Sequence, residues 1–166
     1  MITHSEFAAL RLKEFCAGDP LYSDEEDEHG DFIMESIRGI NFGRHARVES
    51  GTLIIYVDLL DHSTDAGPAI LQRVGLPVTR RSTLVEVVEV LGAPVRSKID
   101  PDRGYDFFRS DLYEFVTSSE NGYDITCTWL HPGQVGRHEA LRVKELSLWA
   151  VRIARSDLAS FPWSDE

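Results

Sequence analysis

The sequence has little cysteine and no dense basic cluster, and each shortage excludes a class of protein. Its 166 residues include two cysteines, Cys16 and Cys127, which lie far apart and form no Cys-x-x-Cys motif. We therefore expect two reduced core thiols rather than a disulfide or a zinc site. The densest basic group is the pair Arg80-Arg81, and the sequence pI is about 4.9. Direct binding to nucleic acid is disfavoured, because it requires many basic contacts to phosphates.

Long apolar runs and common catalytic motifs are also missing. No segment approaches the roughly 18 apolar residues of a membrane span, and the first residues lack the basic and apolar regions of a signal peptide. These observations predict a cytoplasmic protein that binds no membrane. The sequence also lacks a Gly-rich phosphate loop, a Gly-x-Ser-x-Gly motif, a His-Glu-x-x-His motif and a Cys/His set at zinc spacing. A common class of enzyme is disfavoured, and no cofactor is expected.

Acidic residues outnumber basic ones by 28 to 17, which gives a net charge of −11. Segment 24–31 concentrates this charge in six carboxylates: Asp24, Glu25, Glu26, Asp27, Glu28 and Asp31. Such a block repels itself and is typical of a solvated loop. A calcium-binding EF-hand loop is excluded, because His29 stands where the tight turn requires glycine. The segment is a plain solvated loop or a docking surface for a basic protein, with loose divalent cation binding as a third alternative.

Three segments carry helical signals. Residues 3–17 are predicted to form the first helix, because Thr3 begins a capping box and apolar residues follow at helical spacing. Two short helices are predicted in the middle of the chain, the second over 83–91 from another capping box at Thr83. Each of these two is followed by a glycine and, two residues later, by a proline, which together end a helix.

Strand signals dominate the remaining segments. Residues 32–34 and 52–57 are rich in β-branched and aromatic residues, with turns expected at 41–43 and 50–51. Residues 141–154 fit both a helical stripe and a strand, and we favour a strand that would extend the meander. The tail, 156–166, either docks its aromatic residues or is a mobile end.

Asn121-Gly122 is the strongest hairpin signal in the chain. A two-residue loop there would place Phe115 opposite Thr128. Four residues of the second strand would then share the core face: Tyr123, Ile125, Cys127 and Trp129. Aromatic residues on the preceding strands either pack in the core, which we favour, or form a recognition face beside Asp106, Asp111 and Glu114: Tyr105, Phe107, Phe108, Tyr113 and Phe115.

A second polar constellation follows strand 52–57. It contains three carboxylates and an imidazole: Asp58, Asp61, His62 and Asp65. Such a set could hold a hard or borderline metal ion and activate water for hydrolysis. The same residue types are common in turns, where they bond to nearby backbone, and we favour the turn. His131 and His138 could similarly border a small-molecule pocket near Trp129, but no nucleophile accompanies them.

Segment 79–130 resembles a known module. Its motif T-x-x-E-V-x-x-x-L-G-x-P begins at Thr83 and precedes an aromatic-rich strand and a hairpin. This arrangement is similar to the helix-then-meander module of outer-membrane assembly lipoproteins of the BamE type, to the β-lactamase inhibitor protein, which looks built from two such units, and to small bacterial immunity-type proteins. No second copy of the whole module is evident in the sequence. The resemblance implies an α+β fold and a binding function.

Together these patterns predict one α+β domain over 1–155, followed by the tail. An antiparallel sheet, a meander containing the Asn-Gly hairpin, would be covered by an N-terminal helix and short central helices. The leading function is a non-enzymatic protein of the immunity or inhibitor type, which binds a partner with a basic surface through segment 24–31. The alternative is a metal-dependent hydrolase that uses the Asp58 cluster.

Overall fold

The structure is a computed structural model that describes residues 1–16, 22–24, 32–45, 51–59, 65–100, 108–116, 122–130 and 147–156. Its strands form one antiparallel sheet, which confirms the predicted α+β class. The elements follow in the order α1 (His4–Ala9), a 3-10 helix (Leu12–Phe15), β1 (Tyr22–Asp24), β2 (Phe32–Ile37), β3 (Ile40–His45), β4 (Thr52–Asp58), α2 (Ala66–Val74), α3 (Leu84–Leu91), β5 (Arg96–Asp100), β6 (Phe108–Val116), β7 (Gly122–Leu130) and β8 (Ser147–Arg155).

The strand order across the sheet is β1-β2-β3-β4-β8-β7-β6-β5. Strands β1 to β4 form one antiparallel meander, strands β5 to β8 form another, and the two join where β4 pairs with β8. Each meander follows a pair of helical elements. The chain therefore repeats the order of two helical elements and four strands, a repeat that the sequence pattern did not reveal. We call the β4–β8 junction the seam, and the two repeats the first and second halves.

Helices α1 and α3, one in each half, begin in the same way, which confirms both predicted capping boxes. In α1, the backbone N–H of Thr3 donates to the Glu6 carboxylate at 2.8 Å, and the backbone N–H of Glu6 donates to the Thr3 hydroxyl at 3.3 Å. The corresponding distances between Thr83 and Glu86 in α3 are 2.7 and 3.2 Å. These bonds satisfy N–H groups that lack a partner in the first turn.

The predicted helix over 3–17 is wrong in its middle. Helix α1 ends at Ala9, and Leu10 is extended, with ψ of 141°. The carbonyl of Leu10 accepts a hydrogen bond of 2.7 Å from the Thr52 hydroxyl of β4, and the Arg11 guanidinium donates to the carbonyls of Ala8 and Leu10. Because these carbonyls are bonded to side chains, the chain turns and resumes as a 3-10 helix.

The hairpin strands are confirmed, but the predicted register is wrong. Val116 pairs with Gly122, which is part of β7 and not of a two-residue turn, and Phe115 lies opposite Tyr123 instead of Thr128. The register has moved by five residues, an odd number, which reverses the faces of β6 relative to β7. Tyr113 is therefore buried, and Phe115 packs against the core.

The other strand predictions are confirmed, and one predicted turn is wrong. Segments 32–34 and 52–57 lie in β2 and β4, and the strand we favoured within 141–154 is β8. The turn expected at 41–43 is wrong, because those residues belong to β3 and the chain reverses at Arg38-Gly39, where φ of Gly39 is 70°.

One cluster of buried side chains joins the helices to one face of the sheet. Phe7, Leu71 and Val87 of the helices belong to it, together with alternate residues of the central strands. The four residues predicted for the core face of β7 are fully buried, and Cys16 and Cys127 are buried thiols that form no disulfide, as predicted. We call the opposite side of the sheet the outer face. No helix among the described residues is long and apolar enough to cross a membrane.

Candidate functional site

The predicted docking segment lies almost wholly outside the described residues. Asp24 ends β1, where its backbone pairs with Met34. The other five carboxylates, Glu25, Glu26, Asp27, Glu28 and Asp31, fall outside the described part of the chain. The role assigned to segment 24–31 therefore stays a prediction.

The predicted metal cluster is described only in part. Asp58 ends β4, and its carboxylate accepts a hydrogen bond of 3.3 Å from the indole N–H of Trp149. Asp65 precedes α2 and makes no side-chain capping bond, while Asp61 and His62 fall outside the described residues, as do His131 and His138. Among the residues that are described, no group of three or more His, Cys, Asp or Glu is placed to hold a metal ion. The hydrolase alternative stays a prediction.

Trp149 connects β8 to the end of β4 at one end of the seam. Thr128 pairs with Ala150 and Trp129 pairs with Leu148, so Trp149 is the extra residue of a β-bulge in β8. Its indole bonds to Asp58, and its backbone carbonyl accepts a bond of 2.7 Å from the N–H of Leu59. An aromatic side chain is thereby held at the end of the strand that also carries Tyr56.

The middle of the outer face is a row of three residues from three neighbouring strands. Tyr56 of β4 lies opposite Arg152 of β8, which lies opposite Thr126 of β7, and all three are half-buried. Burial and the nearby Asp58 raise the pKa of Tyr56 to about 12. Burial lowers the pKa of Arg152, while Asp124 acts in the opposite direction. Over the described ranges, neither the Tyr56 hydroxyl nor the Arg152 guanidinium has a hydrogen-bond or ion-pair partner.

A second row brings two carboxylates together. Asp124 of β7 lies directly opposite Glu114 of β6, and strand alternation directs both to the outer face. Burial, with the charge of Glu114, raises the pKa of Asp124, while Arg152 and Arg96 act to lower it. In the described part of the chain neither carboxylate forms an ion pair or hydrogen bond. The repulsion is therefore only partly compensated.

An apolar surface adjoins these carboxylates. Leu112 and Val116 flank Glu114 on the same side of β6; Leu112 is half-buried and Val116 is 71% exposed. The exposure of Val116 has a structural cause, since its cross-strand neighbour is Gly122, which has no side chain to cover it. A Cβ added to Gly122 would lie 2.6 Å from the carbonyl oxygen of Phe115, so a larger residue there would require a shift of the backbone.

Comparison with known proteins adds no assignment. No family model, curated protein or solved structure matches this chain. Any function must therefore be argued from the outer face and the charge of the molecule.

The outer face carries residue types that are common at protein interfaces. Tyrosine, tryptophan and arginine are the residue types that dominate binding energy at protein interfaces. Tyr56, Arg152 and Asp124 were missed by the sequence analysis, although Glu114 was noted as a member of a recognition face. The signal was present, because Tyr56 stands between Ile55 and Val57, and Arg152 between Val151 and Ile153. Single polar residues inside apolar strands mark the outer face of a half-covered sheet.

Proposed function

We propose that this protein is a non-enzymatic protein-binding protein of the immunity or inhibitor type, and that it holds its partner on the outer face across the seam. The row of Tyr56 and Arg152 supports this proposal most directly. The side chains of Tyr56 and Arg152 are already half-buried in the folded protein, so their further desolvation on binding costs less free energy. Within the described residues neither has a hydrogen-bond or ion-pair partner, which leaves their hydrogen-bonding capacity for another molecule.

The net charge of −11 favours a partner with a basic surface. Opposite charges steer the two proteins together and raise the association rate, while buried aromatic and arginine contacts lengthen the lifetime of the complex. In this proposal segment 24–31 acts mainly in the first step, and the outer face acts in the second. A cytoplasmic location belongs to the same proposal.

Site-specific photo-crosslinking tests the proposed face. A diazirine amino acid close in size to leucine replaces Thr126 at the centre of the outer face, and in a control protein it replaces Val85, which is 66% exposed on α3. Irradiation in cells that naturally produce the protein should give an adduct from position 126 and not from position 85. Arg152→Ala should remove that adduct.

The partner identified from the adduct is then purified, and its dissociation constant is measured. Arg152→Ala should weaken binding by at least about 30-fold, the effect typical of a hot spot of about 2 kcal/mol. The variant Val85→Ala should bind like the wild type. Adducts only from position 85, or an affinity unaffected by Arg152→Ala, would contradict the proposal.

A further inference from the structure

We propose that the β6–β7 end of the outer face receives one lysine or arginine side chain of the partner, with its cationic head between Glu114 and Asp124 and its aliphatic stem on Leu112 and Val116. This inference rests on the proposed function and names the chemistry of the group that the outer face recognises. The occupant is a basic side chain presented by a protein, not a free metal ion.

The charge pattern is the first step of the argument. Glu114 and Asp124 face one another across two strands, and like charges in that position destabilise a sheet. Arg152 and Arg96 reduce the repulsion but stand outside ion-pair distance of either carboxylate. A cation placed between the two carboxylates would be attracted by both, whereas a partner's carboxylate on this patch would be repelled by both.

The apolar flanks are the second, independent step. A bare metal ion would gain nothing from Leu112 or from the 71% exposed Val116. Lysine and arginine carry a hydrocarbon stem behind the charged head, and such stems lie along apolar surface while the head stays polar. In this proposal the stem lies along the exposed side chain of Val116.

The sign of the pH dependence follows from the same geometry. Asp124 has a raised pKa in the free protein, chiefly because of burial. A bound cation would favour the ionised carboxylate and lower that pKa, so binding would release a proton. Affinity should therefore increase as pH rises through the range in which Asp124 ionises. Three neighbouring charges face this carboxylate and act on it: Glu114, Arg152 and Arg96.

A random 12-residue peptide library displayed on phage provides the probe. It is selected on the wild-type protein, and the enriched peptides are then titrated against the single variants Glu114→Gln and Asp124→Asn, whose side chains keep their size. Enriched peptides should share a lysine or arginine and should bind each single variant at least tenfold more weakly. Replacing that lysine by norleucine, or an arginine by citrulline, should remove the difference between wild type and variant, as a double-mutant cycle requires.

Glu89→Gln is the matched control, because Glu89 is an exposed carboxylate on α3. It should leave every affinity unchanged, and thermal unfolding should confirm that all variants are folded. Peptides that lose affinity with Tyr56→Ala but not with Glu114→Gln or Asp124→Asn would overturn this inference and leave the proposed function standing. Failure to enrich any peptide that depends on Tyr56 or Arg152 would count against both.

Discussion

The two halves of the molecule have the same order of elements but differ in the contacts that their polar side chains make. In the first half, Glu35 and Arg44 form a salt bridge of 3.1 Å, and Ser36 donates to Asn41 at 2.6 Å. In the second half, Glu114 and Asp124 have no such partner among the described residues. The described part of the first half thus contains an ion pair between neighbouring strands, whereas the cross-strand pair of Glu114 and Asp124 in the second half is a contact between like charges. A shared order of elements therefore does not imply the same arrangement of charged side chains.

The largest difference between the halves should appear at the first core residue of each capping-box helix. Phe7 and Val87 occupy the same helical position and are fully buried. Phe7→Ala should lower the free energy of unfolding by about 3–5 kcal/mol, and Val87→Ala by about 2 kcal/mol, because fewer methylene groups leave the core. Urea denaturation measures both. A larger loss for Val87→Ala would show that the second half contributes more to the core.

Glycines with positive φ should respond unequally in the two halves. Gly51 has φ of 72°, and a Cβ there would lie 2.0 Å from the carbonyl oxygen of Ala8. Gly92 has φ of 84°, and among the described residues other than its chain neighbours no atom lies within 4 Å of such a Cβ. Gly51→Ala should cost more than about 2 kcal/mol, and Gly92→Ala about 1–2 kcal/mol from backbone strain alone. Equal losses in denaturant titrations would mean that the contact between Gly51 and α1 is easily relaxed.

The two capping boxes should be equivalent. Because their bond lengths agree closely, Thr3→Ala and Thr83→Ala should each lower the free energy of unfolding by about 1 kcal/mol. Chemical denaturation of both variants, with Thr→Ser at each position as the conservative control, measures the effect. If only one variant is destabilised, the two helices do not support the core equally.

The smallest effects should have opposite signs. Glu35→Gln should lower stability by about 0.5 kcal/mol, since it weakens an ion pair at the surface. Asp124→Asn should raise stability at neutral pH by about 0.5 kcal/mol, since it removes a like-charge cross-strand contact. Thermal unfolding at pH 7 detects both changes, and the pair should be compared in one buffer because salt weakens each effect.

The raised pKa of Asp124 also predicts how the stability of the protein depends on pH. A carboxyl group with a raised pKa holds its proton more tightly in the folded state. Its contribution to stability is present below the ordinary pKa of an aspartate and is lost as pH rises through the raised value. Relative to wild type, Asp124→Asn should therefore gain stability across that range. A parallel pH profile for the two proteins would be inconsistent with a raised pKa.

Most of the elements could be predicted from the sequence, and the arrangement of the sheet could not. Capping boxes and β-branched runs are local signals, so α3, β4 and the start of α1 were predicted correctly. The end of α1 depends on the hydroxyl of Thr52, which is distant in sequence. The β6–β7 register was predicted from a two-residue turn, although the burial of both Tyr113 and Tyr123 favours the observed pairing.

The arrangement of residues on the outer face could not be predicted either, because it depends on which strands are neighbours. Its members come from β4, β6, β7 and β8, and only the seam brings Tyr56 of the first half beside Arg152 of the second. A strand pattern shows which side chains alternate, but it does not show which strands are neighbours. The sequence therefore indicated that polar residues lie within apolar strands, while the structure shows that they form adjacent rows.

The seam also has a consequence for the order in which the chain folds. Neighbouring strands of each meander follow one another in sequence, whereas Ile55 of β4 pairs with Ile153 of β8 across most of the chain. Contacts between distant residues require the closure of long loops and form slowly. We expect the seam to form after the meanders, so that the coupling between Ile55 and Ile153, measured with the two Ile→Val variants and their double variant, should affect the unfolding rate and leave the folding rate nearly unchanged in stopped-flow measurements. The junction that unites the two halves would then set the lifetime of the folded protein.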